Sequence, residues 1–171
     1  ANVILGPSVN VHRVARNGRN FEYLSGEDPY LGAILAGPVV AGIQTEGVIA
    51  NAKHYINNNQ EYDRTSVIAA LDERTQMETY MPPFRAAIKA GVGSVMCAYN
   101  NISTAAQQAR GESFWSCENP ETLMKLKDPL FLGFEGWVMS DWGATHSTAA
   151  AAAAGLDQEM GGEEYFSPEL L

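Results

Sequence analysis

Gly133-Phe134-Glu135-Gly136-Trp137-Val138-Met139-Ser140-Asp141-Trp142-Gly143 is the stretch that decides the fold. Its apolar run, Trp137-Val138-Met139, has the length of a buried strand rather than a helix. The run stops at Ser140-Asp141-Trp142, and Gly143 releases the chain. A carboxylate and an indole thus stand side by side where a strand ends. In parallel α/β barrels that end of the strand is where the chemistry sits. The same Asp also suits a helix cap or a turn, so the choice between site and cap depends on the rest of the chain.

Working outward, short β-like runs alternate with helical stretches. Val3-Ile4-Leu5 is a strand closed by Gly6-Pro7, followed by a polar segment, 10–28, that carries Arg13, Arg16 and Arg19. Pro29 opens a helix over 30–46, which Gly37-Pro38 kinks or restarts. Val48 to His54 is the next strand, and 55–66, dense in Asn and Gln, is a loop. A helix capped by Asp72 runs to Tyr80, restarts at Pro82-Pro83 and ends at Gly91. Gly93 to Ala98 is a third strand and 99–118 a long loop. Asn119-Pro120-Glu121 starts a helix to Lys127 that continues irregularly to Leu132. Val138 lies in a fourth strand, Ser147 caps an alanine-rich helix ending at Gly155, and 156–160 reads as a fifth strand.

This alternation argues for parallel βαβ units. Four or five units do not close an eight-stranded barrel, which takes about 250 residues. A doubly wound sheet is complete at this size, but neither G-x-G-x-x-G nor G-x-x-x-x-G-K-[ST] is present. The expected fold class is therefore α/β, a partial (β/α)8 TIM-type barrel, with a small complete doubly wound domain as the rival.

The chain has 171 residues, with 20 Asp and Glu against 11 Lys and Arg, a formal net charge of −9. Nucleic acid is not expected as a partner, because a duplex-binding surface needs clustered cations and here they are few and dispersed. No apolar run approaches the roughly 20 residues of a membrane span. The chain begins without Met inside a strand, as a sequence starting within a domain does. Cys97 and Cys117 either bridge across the loop between them or remain buried thiols. Asn101-Ile102-Ser103 is a glycosylation sequon, usable in a secreted protein. His12, His54 and His146 lack the spacing of metal ligands, and Gly-x-Ser-x-Gly is absent. No metal or cofactor is expected.

Polar residues follow every strand end: Arg13, Arg16 and Arg19 the first, Lys53-His54 the second, Tyr99-Asn100-Asn101 the third and Asp141-Trp142 the fourth. On parallel strands these ends share one face. Each residue also has an ordinary alternative. Arg19 can pair with Glu22 or Glu27, Arg64 with Glu61, Lys53-His54 can be solvated, and Tyr99 can belong to the core.

Four segments together carry a resemblance. They are Gly6 to Arg13 with Gly18-Arg19-Asn20-Phe21-Glu22; Ala52-Lys53-His54-Tyr55 with Gln60-Glu61; Ser94 to Asn100; and Gly133 to Trp142, with Ala153 to Asp157 as a weaker fifth. In this order they resemble the N-terminal barrel domain of glycoside hydrolase family 3, in its β-glucosidase branch. Asn57-Asn58-Asn59-Gln60 is unlike the Gly-rich loop of the family's N-acetylhexosaminidases.

The resemblance implies a retaining, exo-acting β-glycosidase that acts on oligosaccharides or aryl β-glucosides, with β-xylosidase or a non-catalytic sugar-binding remnant as alternatives. Asp141 would be the nucleophile. Arg19, Lys53, His54 and Arg64 would hold the sugar hydroxyls, Met96 and Tyr99 would line the site, and Trp142 would wall the sugar. Nearby cations are expected to keep Asp141 ionised. The acid/base partner, about 5–5.5 Å from the nucleophile in retaining enzymes, is assigned to no residue of this chain. It is expected from a following domain of the full-length enzyme, and the early barrel strands are expected upstream, so residues 1–171 are read as part of the catalytic barrel and inactive alone. The loop from Asn101 to Cys117 is longer than the family pattern. The implied setting is secretion and cellulose degradation.

Overall fold

The computed structural model describes residues 1–170. In chain order its elements begin with β1 (Val3–Ile4), α1 (Pro29–Thr45), β2 (Ile49–Tyr55), β3 (Ile68–Ala70), α2 (Glu73–Thr75) and α3 (Pro82–Lys89). They continue with β4 (Ser94–Cys97), β5 (Asn101–Ser103), α4 (Ala105–Arg110), β6 (Phe114–Trp115), α5 (Pro120–Lys127), β7 (Trp137–Ser140) and α6 (Ala149–Ala154).

The main sheet is four-stranded, in the order β1-β2-β4-β7. Every pairing is parallel, with Val3 opposite Ile49, Asn51 opposite Ser94, and Val95 opposite Val138. Spatial order follows chain order without the reversal that defines a doubly wound sheet. The sheet is therefore an arc of a (β/α)8-type barrel, and the doubly wound alternative falls.

Alternation along the strands separates two faces. One face, with Ala50, Ala52, Val95, Cys97 and Val138, joins a buried cluster with Val40 of α1, Phe84 of α3, Leu123 and Leu126 of α5, and Ala151 of α6. The opposite face carries Asn51, Ser94, Met96 and Met139, and Asn51 Nδ2 donates to Ser94 Oγ at 2.6 Å. The helices cover the first face. The second is the inner face of the arc.

Local chemistry sets most boundaries as expected. Asp28, Asp72 and Asn119 cap their helices through side-chain oxygens; the N-cap of α6 is Thr148 rather than the expected Ser147, whose Oγ still accepts the N–H of Ala151 at 3.1 Å. Gly136 has to be glycine, since a Cβ there would collide with the backbone carbonyl of Gly93. The approach of these two glycines lets β4 and β7 start side by side.

Some expectations are corrected. Pro38 does not interrupt α1. Pro38 and Ile34 are both exposed, so the Ile34 carbonyl that loses its N–H partner lies on the solvent side. The helix α5 ends at Lys127 and does not reach Leu132. The expected fifth strand is a single parallel bridge, Gln158 to Met139. Residues 99–118 are not simply a loop. They supply β5, α4 and β6, and with β3 they make a second sheet in the order β3-β5-β6. Thr104 and Gln107 form a capping box that starts α4, and a disulfide joins Cys97 to Cys117 across the base of this excursion. In the sequon, Asn101 is half-buried in β5 and Ser103 Oγ donates to the Glu112 carbonyl at 2.6 Å.

Candidate active site

The site forms where the ends of β2, β4 and β7 meet the segment after β1. Asp141 directly follows β7, and its N–H donates to the Cys97 carbonyl at the end of β4 at 3.1 Å. That bond makes the residue part of the sheet edge. Asp141 Oδ1 accepts the N–H of Trp142 at 2.9 Å. Asp141 Oδ2 is buried without a hydrogen-bond partner, and the nearest charged or imidazole group is His54 Nε2 at 3.5 Å.

The register of β2 against β4 shifts between Ala52 and Tyr55. Bulges of this kind re-aim side chains next to functional sites. Here consecutive residues both enter the cluster: Lys53 Nζ reaches Glu22 Oε1 at 2.9 Å, while His54 faces Asp141. Asn10 brackets the His54 peptide, accepting its N–H at 2.6 Å and donating to its carbonyl at 2.9 Å.

Burial, helped by Lys53 and Arg19, pushes the His54 imidazole down to about 3, so the ring is neutral. Tyr23 Oη lies 2.9 Å from Nδ1. With Tyr23 donating there, the ring proton sits on Nε2, the nitrogen that faces Asp141.

The cations come in two pairs. Arg19 Nε and Nη2 donate to Glu22 at 2.6 and 2.7 Å. Arg64 Nη1 donates to Glu61 Oε2 at 2.8 Å, and its guanidinium lies 4.5 Å from the Tyr99 ring centroid. Arg19 Nη1 approaches Glu61 Oε1 at 3.8 Å, so the two pairs are linked. The local alternatives named the right partners, Glu22 and Glu61, but both pairs lie within the site and not on remote surface. Trp142 is 46% exposed at the edge. Met96 is buried on the inner face in register with Met139, two residues short of Asp141. Arg13 and Arg16 are exposed and belong to none of these pairs.

The cations act on Asp141 in the expected direction, but burial acts against them. Burial raises the Asp141 carboxyl above its ordinary value, and the Trp142 N–H, Tyr99, Arg64 and Arg19 only partly oppose it. Burial is the largest of these contributions. Sequence reasoning missed Tyr23 and Asn10 as supports of His54. Both act across long sequence separations and leave no local signal. Among the described residues no group of three or more His, Cys, Asp or Glu is arranged to hold a metal.

A strand-end carboxylate, a neutral imidazole, tethered cations and an edge indole thus meet on one end of a barrel arc. The chain belongs to glycosyl hydrolase family 3: residues 1–161 match the description "Glycosyl hydrolase family 3 N terminal domain". It is 45% identical over 163 residues to a β-glucosidase of Rhizobium radiobacter, covering 95% of this chain and 19% of that protein. It is 43% identical over 160 residues to β-glucosidase cel3A of Pyricularia oryzae, covering 93% and 20%. Among solved structures it resembles DesR, a β-glucosidase from Streptomyces venezuelae in complex with D-glucose, with TM-score 0.83, 45% identity and coverage of 93% and 19%. A β-glucosidase from Kluyveromyces marxianus matches with TM-score 0.88, 37% identity and coverage of 99% and 19%. The chain spans about a fifth of the length of these relatives.

Proposed function

We propose that this chain is the nucleophile-bearing part of the catalytic barrel domain of a retaining, exo-acting β-glycosidase that removes terminal non-reducing β-D-glucosyl residues. The observation that carries the reading is Asp141 Oδ2, a buried strand-end carboxylate oxygen with no hydrogen-bond partner, 3.5 Å from His54 Nε2 and within the field of Arg64 and Arg19. In this reaction Oδ2 attacks the anomeric carbon, the glycosidic C–O bond breaks, and the leaving oxygen takes a proton from an acid. Water then cleaves the glycosyl ester, with the same acid's conjugate base accepting a proton.

Arg19, Lys53, His54 and Arg64 donate to sugar hydroxyls, Tyr99 packs beside Asp141, Trp142 offers an apolar face to the pyranose, and Met96 underlies the site. Glu22 is not the acid. Burial alone would raise it, but its hydrogen bonds to Arg19 and Lys53 outweigh that and hold it down to about 2. Glu61 is committed to Arg64. As the resemblance to the family's β-glucosidase branch implies, the proton donor is supplied by a following domain of the full-length enzyme. That the relatives are β-glucosidases favours a glucoside over a xyloside. The Cys97–Cys117 bridge fits an oxidising compartment and hence secretion.

The test is to trap the full-length enzyme with an activated 2-deoxy-2-fluoro-β-glucoside and map the label by peptide mass spectrometry. A label on Asp141 is expected. A label on another residue overturns the assignment, and glucose binding without any label or turnover marks a sugar-binding remnant.

A further inference from the structure

Glu22 makes no contact with sugar in the mechanism above, yet it joins the groups that do. Its Oε2 accepts from Arg19 Nε at 2.6 Å. Its Oε1 accepts from Arg19 Nη2 at 2.7 Å, Lys53 Nζ at 2.9 Å and Ser8 Oγ at 3.0 Å. A bidentate carboxylate fixes both the plane and the rotation of a guanidinium. It uses Arg19 Nε–H and one N–H of Nη2, so Nη1 and the remaining Nη2 N–H stay available, and Nη2 lies 3.4 Å from His54 Nε2. Lys53 is a point charge on a flexible stem with three donors, and Glu22 anchors it through one of them.

We propose that Glu22 is a positioning residue of the site, an anionic clamp that sets where Arg19 and Lys53 present their remaining donors to the sugar. The inference rests on the reading of Arg19 and Lys53 as hydroxyl-binding groups. Two cations serving one ring repel each other, and an anion between them lets both approach. Because Glu22 is ionised down to about 2, the clamp stays closed across the acid range. Its side chain is partly exposed and stands between polar groups, so it contributes little to the apolar core.

The experiment uses the full-length enzyme with Glu22→Gln, which keeps length and one acceptor but loses the charge. The readouts are kcat and KM on an aryl β-glucoside, calorimetric affinity for D-glucose, and the thermal midpoint. The expected result is a fall in kcat/KM of about 100-fold, the cost of a small misplacement of binding groups. Weaker glucose binding should accompany it, with a midpoint within about 4 °C of wild type. Glu22→Asp, which keeps the charge one methylene short, should recover part of the loss, and it carries the test if the Gln variant fails to fold. Values of kcat/KM and glucose affinity within threefold of wild type in Glu22→Gln, or in Glu22→Asp where that variant alone folds, overturn the clamp alone. A wild-type enzyme that neither cleaves the glucoside nor binds glucose overturns the functional reading, and the clamp with it.

Discussion

The two sides of the site treat charge in opposite ways. On the side built by the segment after β1 and the end of β2, each cation has a carboxylate partner: Arg19 and Lys53 meet Glu22, and Arg64 meets Glu61. On the β7 side, Asp141 has one oxygen held by a single N–H and the other without a partner. Glu22 is driven down to about 2, while Asp141 is driven up. The chemical group is the same; what differs is whether burial comes with compensating donors. Leaving a buried acceptor unsatisfied costs about 1–3 kcal/mol. On the reading proposed above, the binding side is thus assembled in advance, and the reactive side is completed by its ligand.

The largest effect should come from removing the reactive side. Asp141→Asn in the full-length enzyme should lower kcat on an aryl β-glucoside by about 10⁴-fold or more. The fold should survive, because the Trp142 N–H keeps an acceptor. Activity within tenfold of wild type would break the contrast between the two sides.

The β7 side is also the covalently braced one. Cys97, whose carbonyl accepts the Asp141 N–H, is bonded to Cys117. Cys117→Ser should cost about 3 kcal/mol, the usual worth of closing a loop of this size. The thermal midpoint should fall, and reductant should then shift wild type but not the variant. A wild-type midpoint insensitive to reductant under unfolding conditions would show that the bond braces nothing.

The same contrast explains what was legible in the sequence. The strand-end positions of Lys53-His54, Tyr99 and Asp141 could be read because apolar runs stop there, and the monotonic strand order follows from short βαβ spacing. The clamp was hidden because Arg19–Glu22 and Arg64–Glu61, each three residues apart, have the spacing of ordinary surface ion pairs. Tyr23 and Asn10 were hidden because their contacts with His54 span 31 and 44 residues. The second sheet was hidden because β6 is two residues long and β3 and β5 are three, too short for a period-2 signal. Thr104-x-x-Gln107 with Gly111 was a usable helix signal in that segment. The raised Asp141 carboxyl was out of reach because it depends on how deeply the folded chain buries it.

His54 is where the two sides touch, and it yields a smaller prediction. Tyr23→Phe removes the hydroxyl from Nδ1 and frees the proton to move off Nε2. The loss of one hydrogen bond, about 1 kcal/mol, should lower kcat/KM by roughly fivefold to tenfold. An unchanged kcat/KM would show that the Tyr23 hydroxyl does not set the tautomer that matters.

The smallest effect is a difference in pH dependence, and its sign separates the two carboxylates. Glu22 titrates near 4.5 when unfolded and about 2 when folded. Its stabilisation is fully present above 4.5 and is lost as pH falls toward 2. Asp141 titrates at 3.8 when unfolded and higher when folded. The native state therefore holds the proton more tightly, and the stability contributed by protonated Asp141 is lost as pH rises through its folded value. Glu22→Gln should thus lower the midpoint relative to wild type at pH 6 and converge with it toward pH 2. Asp141→Asn should converge near pH 3 and exceed wild type at pH 6, each by on the order of a few degrees. Parallel pH profiles for the two variants would mean that the sides do not differ as drawn, because supplied donors and removed water would then be acting on both carboxylates alike.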